Sequence, residues 1–433
     1  MYVRSLQIKN LRCFESAAVD LQFPGREAPP ELPNVNLLLG NNGAGKTTVL
    51  KAIALGILGQ ALPFSGLVLY HLVRRAGENG ETEKEAMVEA DLLLHPADTW
   101  DAKIRSVSPR IEIYKLKDQE RLRSPKRSDD EHLDIWGKFY EDFSDSFLLV
   151  GYGATRWAID ASQFEPVASQ RKRRGLRYQR VAGLFEEFIG LTPLSSWLPR
   201  LEAEDAGRFK EISQLLNDLL PEDSRFLGEM ENGEYLFTHC GVPVPLGALS
   251  DGYRAYIGWV SDLLYNISLG ALKGSRLRDA HGVVLVDEID LHLHPEWQRE
   301  VVPTVARALP NLQFVLTTHS PIVAGTLSAK NIFVLEMDGT GASTIRQLTE
   351  PIHGLNADQI LVSSYFGLDT TRAPGAEDVL QRLSRQAMNG DSAAALEFLK
   401  KLATGTEEPP VEEGSSKVST RPHAARLRRT RAR

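Results

Sequence analysis

Cysteine is scarce in this sequence: Cys13 and Cys240 are the only two among 433 residues. Two cysteines cannot build a disulfide framework or a four-cysteine zinc site, and such scarcity is typical of a reducing compartment. We therefore predict a cytoplasmic protein. The composition is otherwise ordinary, with 42% hydrophobic and 25% charged residues, which excludes disorder as the main state and indicates two to three structural units.

Segments suited to export or membrane insertion are also lacking. The N-terminus alternates apolar and polar residues and has no signal-peptide core. Residues 52–73 carry no acidic or basic charge and are long enough to span a bilayer, but they contain three glycines and Pro63 and directly follow a phosphate-binding motif. We predict a buried helix, a turn and a second element there, and no membrane partner.

The chain has no overall basic excess, because its formal net charge is −7. The last residues differ from the rest: 415–433 contain seven Lys or Arg and no Asp or Glu. The segment before them is rich in Glu, Pro, Gly and Ser, so we predict a disordered basic tail over 404–433.

Apolar patterning predicts an α/β fold. Alternation at 3–8 and 17–21 predicts a hairpin, and continuous apolar runs at 35–39, 147–151, 283–286 and 314–316 predict strands buried on both faces. A helix is expected over 295–309, a closing hairpin over 333–348, and a helical pattern over 184–220 broken at Pro193 and Pro199. Residues 74–146 are crowded with charges of both signs and predict an irregular, solvent-facing insertion.

The glycine-rich segment between a predicted strand and helix carries a phosphate-binding pattern. It fits G-x-x-x-x-G-K-[ST], where glycines let backbone N–H groups surround phosphates, the lysine reaches the β and γ oxygens, and the threonine hydroxyl completes a Mg²⁺ shell. ATP and Mg²⁺ are therefore the expected cofactors. The nucleotide-binding residues are Gly40, Asn41, Asn42, Gly43, Ala44, Gly45, Lys46, Thr47 and Thr48, with Thr47 also a metal ligand.

Two carboxylates follow the apolar run 283–286, at a strand end where such sheets present ligands. We predict that Asp287 holds Mg²⁺ through water and that Glu288 acts as general base toward the attacking water. The strand over 314–316 likewise ends in polar residues, and its His319 is placed to reach a γ-phosphate. The predicted catalytic residues are Glu288, His319 and Lys46.

The segment Leu-Ser-Asp-Gly-Tyr-Arg at 249–254, followed by a helical pattern, resembles the Leu-Ser-Gly-Gly-Gln signature of ABC-type ATPases. Phosphate loop, signature, carboxylate pair, Asp290 and His319 then follow the order of that family. The resemblance implies that Ser250 and Gly252 of one head cap the ATP held by a second head, with Asp290 also at the nucleotide site. Asp251 and Tyr253 depart from the family pattern, which has glycine and glutamine there.

Within that superfamily the sequence is most similar to the RecF, SMC and OLD branch, which includes AAA-type predicted ATP-binding proteins. The opening Ile-Lys-Asn-Leu-Arg-Cys-Phe at 8–14 resembles L-x-N-F-R-x-F, and 290–295 resembles the D-x-x-L-H-P loop of OLD-like ATPases. The resemblance covers roughly 1–60 and 245–350. Residues after His319 do not show the acidic pattern of a TOPRIM nuclease, so we expect a head without its own nuclease.

The resemblance implies a P-loop NTPase fold with a mixed or parallel sheet and a large insertion between phosphate loop and signature. We divide the chain into five segments. They are an N-terminal head part (1–73), an insertion or helical lobe (74–244), a C-terminal head part (245–350), a small helical segment (351–403) and the tail (404–433).

Three lesser features stay open. Six cations at 171–180, around Tyr178, suit a nucleic-acid backbone or an ordinary solvated loop. Arg156, after the strand at 147–151, either faces the nucleotide or belongs to a turn, and the turn is favoured. His292 and His294 are read as loop residues rather than metal ligands, because no cluster of other ligands accompanies them in sequence.

The leading functional hypothesis is a soluble Mg²⁺-ATPase that works as a homodimer or higher homo-oligomer. It would control DNA, through 171–180 or the tail, or a partner nuclease, in DNA repair or phage defence. The first alternative, the ATPase subunit of a membrane transporter, is disfavoured by the long segment between Lys46 and Ser250 and by Gln60, which comes too early for a Q-loop. A signalling ATPase that acts on another protein is the second alternative.

Overall fold

A computed structural model of the chain describes residues 1–59, 69–76, 81–98, 103–116, 119–125, 146–158, 176–186, 189–271, 274–372 and 375–404. The predicted tail, apart from its first residue, and Gln60 lie outside these residues. The chain divides into two compact units, Met1–Asp369 and Thr370–Arg433. The predicted site belongs entirely to the first.

A six-stranded mixed sheet forms the centre of the first unit. Five neighbouring strands are parallel, and the sixth is an antiparallel edge strand. All the apolar runs predicted as buried strands lie here, which confirms the expected α/β class of a P-loop fold. In spatial order the strands are Leu149–Tyr152, Gly282–Val286, Leu312–Thr317, Val35–Gly40, Ile332–Met337 and Ser343–Arg346.

Alternate residues of the central strands face two different cores. Leu285 lies in a core with the helix Lys46–Leu58, whereas Val284 lies in a core with the helix Asp251–Gly270. Each strand is therefore buried on both faces, and only its ends reach solvent. Since parallel strands share one carboxyl edge, the loops that follow them meet at that edge.

A second sheet is antiparallel and begins with the predicted hairpin, which is confirmed. Its strands, in spatial order, are Phe14–Asp20, Tyr2–Leu11, Glu85–Leu93, Arg110–Leu116 and Gln119–Arg123, with Ser106–Val107 beside Glu85–Leu93. The prediction of an irregular, solvent-facing 74–146 is wrong for these residues. Val88 and Ile111 are fully buried, because alternate residues of these strands face inward while their charged neighbours face out.

Nine helices are present among the described residues of the first unit: Lys46–Leu58, Leu176–Gln179, Ala182–Phe185, Leu194–Glu204, Ala206–Leu219, Asp251–Gly270, Pro295–Ala308, Pro321–Ala324 and Ala357–Leu361. The predicted break at Pro199 is wrong, because Pro199 lies inside the helix Leu194–Glu204. Buried Trp197 and Leu198 anchor this helix, so tertiary packing overrides the cost of the proline.

Smaller elements complete the first unit. A three-stranded antiparallel sheet, Ser224–Glu231, Glu234–His239 and Val242–Pro245, precedes the helix Asp251–Gly270. Short strand pairs join Arg75–Ala76 to Glu81–Thr82 and Trp157–Ala158 to Gly190–Leu191. Short 3₁₀ turns lie at Pro96–Asp98, Leu246–Ala248, Leu277–Asp279 and Ala329–Asn331.

The second unit contains the antiparallel helix pair Ala376–Met388 and Ser392–Thr404. Residues 351–403 contain helices, and the division into compact units falls within this range, at Asp369. Our five-segment division of the chain stays a prediction. In the part of the chain that the structure describes, no helix combines the length and apolar character needed to cross a bilayer.

Candidate nucleotide site at the carboxyl edge of the central sheet

The phosphate loop leaves the central strand Val35–Gly40 and enters the helix Lys46–Leu58. Gly45 caps this helix with φ 101°, a conformation that L side chains rarely adopt. A Cβ on Gly40 would lie 2.4 Å from the Leu335 carbonyl oxygen, so the loop can pass the next strand only with glycine there. Residues 41–43 are exposed, so their backbone N–H groups are accessible to an anion at the helix N-terminus.

Lys46 lies across the mouth of this loop. Its ammonium donates to the carbonyl oxygen of Gly40 over 2.8 Å and to that of Asn41 over 3.3 Å. Burial lowers the pKa of Lys46 below its usual value, although nearby carboxylates, led by Asp287, act in the opposite direction. The charge therefore sits among acidic groups at the place where the sequence predicts phosphates.

Thr47 and Asp287 meet although 240 positions separate them. The Thr47 hydroxyl donates to Oδ2 of Asp287 over 2.7 Å, and the Thr317 hydroxyl donates to Oδ1 over 2.6 Å. Asp287 is buried, and its backbone N–H donates to the Tyr152 carbonyl of the neighbouring strand. A hydroxyl and a carboxylate are hard oxygen donors, and one or two such groups per ion suit Mg²⁺, which keeps several waters. Thr47 and Asp287 therefore fit the metal role that the sequence predicts.

Glu288 has an unusual backbone conformation. Its φ is 50°, in the left-handed region, and its N–H donates to the Thr317 hydroxyl over 2.7 Å. Such a conformation costs about 1 to 3 kcal/mol in a non-glycine residue and persists only where the surroundings fix it. Its side chain remains partly exposed. The turn after the strand Gly282–Val286 thus buries the first carboxylate and directs the second toward solvent.

Arg156 is the clearest functional feature that the sequence left open. Its guanidinium donates to the carbonyl oxygen of Asp287 over 2.5 Å and to that of Glu288 over 2.8 Å. Burial lowers the pKa of Arg156 to about 10, although nearby carboxylates, led by Asp287, act in the opposite direction. The favoured interpretation of a turn missed this role. The sequence shows only an arginine shortly after an apolar strand, and the pairing of that strand with the Asp287 strand is known from the structure alone.

The loop after Glu288 is held against the neighbouring strand. The Thr318 hydroxyl donates to Oδ1 of Asp290 over 2.5 Å, and the Leu293 N–H donates to the Asp290 carbonyl over 3.1 Å. His294 caps the helix Pro295–Ala308 by accepting from the Glu296 N–H. Asp290 is therefore fixed beside the carboxylate pair, and His294 has the structural role that we expected.

His319 follows Thr318 at the same edge of the sheet, where its side chain is exposed. The next residue, Ser320, accepts from the backbone N–H groups of Ile322 and Val323 and starts a short helix. The chain is therefore anchored directly after His319. Its predicted catalytic role is compatible with this position and stays a prediction.

The signature segment begins the helix Asp251–Gly270. Ser250 is the exposed N-cap residue of this helix. A Cβ on Gly252 would lie 2.6 Å from the His292 carbonyl oxygen, so the helix start packs directly on the loop that follows Asp290. Gly252 is thus connected to the predicted site within the same chain, while Ser250 faces solvent.

Tyr253 stands where the ABC family has glutamine, and it makes contacts within its own chain. Its hydroxyl donates to Oδ2 of Asp223. Its ring packs edge-on against Trp297, with centroids 4.0 Å apart, and against His239, with centroids 4.6 Å apart. The departure from the family pattern therefore anchors the helix start to a hairpin and to the helix Pro295–Ala308.

The predicted basic patch at 171–180 is wrong for two of its six cations. Arg177 and Arg180 are buried, and Arg177 donates to the carbonyl oxygens of Ser146 and Phe147. Tyr178 is buried as well. These guanidinium groups face backbone inside the protein because the chain there packs against the strand Leu149–Tyr152. Residues 171–174 lie outside the described residues, so that part of the prediction stays open.

A known protein family matches the part of the chain that contains these motifs. The family described as "AAA domain, putative AbiEii toxin, Type IV TA system" matches residues 35–324. This range contains the phosphate loop, the insertion, the signature segment and the carboxylate pair.

Curated relatives were also found. The Septu protein PtuA of Bacillus mycoides (strain KBAB4) is 26% identical over 374 residues, which cover 86% of this chain and 45% of the relative. The "Retron Ec83 probable ATPase" of Escherichia coli is 22% identical over 398 residues, which cover 77% of this chain and 71% of the relative. The chain thus spans less than half of the length of the PtuA relative.

Among solved structures, an Smc head bound to the C-winged helix domain of ScpA matches with 16% identity and a TM-score of 0.49, covering 80% of this chain and 98% of that chain. The SMC head domain from Thermotoga maritima matches with 15% identity and a TM-score of 0.44, covering 80% of this chain and 99% of that chain.

Proposed function

The chain belongs to the family described as "AAA domain, putative AbiEii toxin, Type IV TA system", and from this premise we propose that it is a Mg²⁺-dependent ATPase with an ABC-type head. The observation that carries the proposal is the hydrogen bond from Thr47 to Asp287, because it joins the phosphate loop to the carboxylate pair. A relative named "probable ATPase" supports the same activity.

The residues at the carboxyl edge have separate roles in this proposal. The N–H groups of 41–45 and the Lys46 ammonium bind the phosphates of ATP. Thr47 and Asp287 hold Mg²⁺, which neutralises charge on the phosphates. Glu288 accepts a proton from the attacking water, as its position beside the buried Asp287 allows. His319 and Asp290 flank the γ-phosphate.

Arg156 acts on the same chemistry without touching the nucleotide in this proposal. By binding the carbonyl oxygens of Asp287 and Glu288, it fixes the turn that aims the Glu288 carboxylate. Arg156 is thus a positioning residue. Arg156 lies in the segment that follows Leu149–Tyr152. A movement of that segment would therefore change the position of Glu288 through Arg156.

The active form in our proposal is a pair of heads. Ser250 is exposed at the start of the helix Asp251–Gly270, where a hydroxyl and the helix N-terminus can both face the γ-phosphate bound by another chain. Gly252 packs on the loop after Asp290, so ATP-dependent closure at the signature would be transmitted to the carboxylate pair.

We propose that this ATPase controls DNA or a partner nuclease, in phage defence or DNA repair. Relatives named Septu protein PtuA and retron ATPase support the defence setting. A protein-directed signalling ATPase is the second candidate, because the burial of Arg177 and Arg180 removes two of the six cations that suggested DNA contact. The transporter reading is weaker, because the segment between Lys46 and Ser250 is long and Gln60 comes too early for a Q-loop.

Measuring ATP turnover with and without double-stranded DNA at several salt concentrations tests the proposal. We expect Mg²⁺-dependent turnover that is lost in Lys46→Ala.

DNA affinity measured at the same salt concentrations tests the basic segment. If Arg171, Lys172, Arg173 and Arg174 contact phosphates, replacing all four with Ala should reduce the slope of log affinity against log salt by roughly 0.9 per lost contact. An unchanged slope would shift the test to deletion of 415–433. No DNA binding by the wild type would favour the protein-directed candidate, and no turnover would contradict the ATPase.

A further inference from the structure

Three side chains with metal-binding donor atoms come together beside the signature helix Asp251–Gly270. One carboxylate oxygen of Asp223, one ring nitrogen of His239 and the Sγ of Cys240 lie within 4.8 Å of one another. Nδ1 of His239 is 3.8 Å from Oδ2 of Asp223, and Nε2 of His239 is 3.9 Å from Sγ of Cys240. Ligands around a tetrahedral Zn²⁺ lie about 3.3 to 3.6 Å apart, as its bond lengths require. The two distances involve different nitrogens of the His239 ring, so binding of one ion requires side-chain rotations that bring a single ring nitrogen, the carboxylate and the thiolate around it.

The backbone explains why these residues converge. The strands Ser224–Glu231 and Glu234–His239 pair in a register that places Ser224 opposite His239. Asp223 therefore lies opposite Cys240, and the Cys240 N–H donates to the Asp223 carbonyl over 3.3 Å. Cys240 is in the left-handed region with φ 49°, so the chain reverses immediately after the ligand pair. Strand pairing places Asp223 opposite Cys240, and the turn after His239 fixes the backbone of Cys240.

The donor set selects the kind of ion. A thiolate, an imidazole and a carboxylate together suit Zn²⁺ and related divalent transition metals, whereas Mg²⁺ prefers oxygen ligands alone. Asp223 and Cys240 are exposed, so the ion could enter from solvent and keep a position for water. We propose that Asp223, His239 and Cys240 form a binding site for Zn²⁺ or a similar transition-metal ion, separate from the Mg²⁺ site at Thr47 and Asp287.

Tyr253 connects this site to the signature segment. Its hydroxyl donates to the same carboxylate of Asp223, and its ring lies against His239. A metal ion on Asp223 and His239 therefore acts on a residue three positions after Ser250. The ion thereby regulates ATP turnover by shifting the start of the signature helix. This second step rests on the proposed ATPase, whereas metal binding itself does not.

Titration of the full-length, chelator-treated protein with Co²⁺ tests binding, because a thiolate bound to Co²⁺ gives a charge-transfer absorption band. We expect one thiolate-bound Co²⁺ per chain, displaced by Zn²⁺, in the wild type and in Cys13→Ser. Cys240→Ser should lose the band, and His239→Ala should weaken Zn²⁺ binding roughly tenfold or more. A wild type without the band, or a band that survives Cys240→Ser and disappears in Cys13→Ser, would overturn the site.

ATP turnover with and without one equivalent of Zn²⁺ tests the connection to Tyr253. We expect zinc to change the turnover of the wild type and of His353→Ala, a histidine outside the site, but not of Cys240→Ser. Equal zinc effects in all three proteins would overturn the regulatory step, since zinc would then act elsewhere. If no variant hydrolyses ATP, the proposed function fails while the Co²⁺ titration still decides the metal site.

Discussion

The hydroxyl of Thr47 donates a hydrogen bond to the Asp287 carboxylate, joining the first turn of the phosphate-loop helix to the end of the strand Gly282–Val286. Both groups are anchored separately, Thr47 by its helix and Asp287 by a second bond from the Thr317 hydroxyl. Two oxygen donors are thus held side by side, and hard oxygen donors are the ligands that Mg²⁺ prefers.

Removal of the Thr47 hydroxyl should therefore impair metal use. We expect Thr47→Ala to lower turnover about tenfold or more at limiting Mg²⁺, because a hydrogen bond to a charged group contributes about 1.5 to 3 kcal/mol. Thr47→Ser keeps the hydroxyl and should stay near the wild type. Turnover measured across a Mg²⁺ titration separates the two variants, and equal Mg²⁺ requirements in both would remove Thr47 from the metal site.

Arg156 should control the chemical step more than ATP binding. Arg156→Ala leaves two carbonyl oxygens without their charged donor, so we expect kcat to fall tenfold or more while ATP affinity changes little. Arg156→Lys keeps the charge but cannot bond both oxygens in a fork, so its kcat should be intermediate.

Single-turnover kinetics and ATP titration measure the two quantities for Arg156. Arg276, an exposed arginine that pairs with Asp279, provides the control, and Arg276→Ala should behave as wild type. A loss of ATP affinity equal to the loss of kcat in Arg156→Ala would contradict a positioning role.

Gly252 should tolerate no side chain. A Cβ would lie 2.6 Å from the His292 carbonyl oxygen, so Gly252→Ala must shift either the signature helix or the loop after Asp290. We expect turnover to fall while ATP still binds the phosphate loop. Gly339→Ala is the matched control, because its Cβ would meet no atom within 4 Å. Wild-type turnover in Gly252→Ala would contradict the proposed connection between the signature segment and the carboxylate pair.

Ser250→Arg tests the pairing of two heads. It places a bulky cation where the γ-phosphate of a second head should dock and leaves its own phosphate loop intact. ATP should still bind, while ATP-driven dimerisation, measured by light scattering, and turnover should be lost. A monomeric, fully active Ser250→Arg protein would refute the two-headed mechanism.

The strands that carry the motifs were predictable because a few consecutive residues are enough to show their apolar pattern and polar end. An apolar run ending in glycine, or in a carboxylate pair, indicates a buried strand with a polar end, and β-pairing then brings Thr47 to Asp287. Arg156 was not predictable as a partner of Glu288, since only the neighbouring position of two strands brings them together.

Charge content was misleading in two places for the same reason. In Glu85–Leu93 buried residues alternate with more exposed ones, and Val88 is fully buried. The charged residues of this segment therefore led to the wrong prediction of an irregular, solvent-facing region. Arg177 and Arg180 belong to a charged run, yet both are buried. Sequence gives the number of charges, whereas tertiary packing decides which of them reach solvent.

The most direct test of the account is ATP hydrolysis by Glu288→Gln under saturating Mg²⁺. The substitution keeps the size of the side chain and removes its ability to accept the proton, so turnover should fall roughly 10² to 10⁴-fold while ATP affinity is retained. Glu296→Gln changes an exposed glutamate eight residues away and should leave turnover unchanged. Wild-type turnover in Glu288→Gln would place the general base elsewhere and contradict the proposed active site.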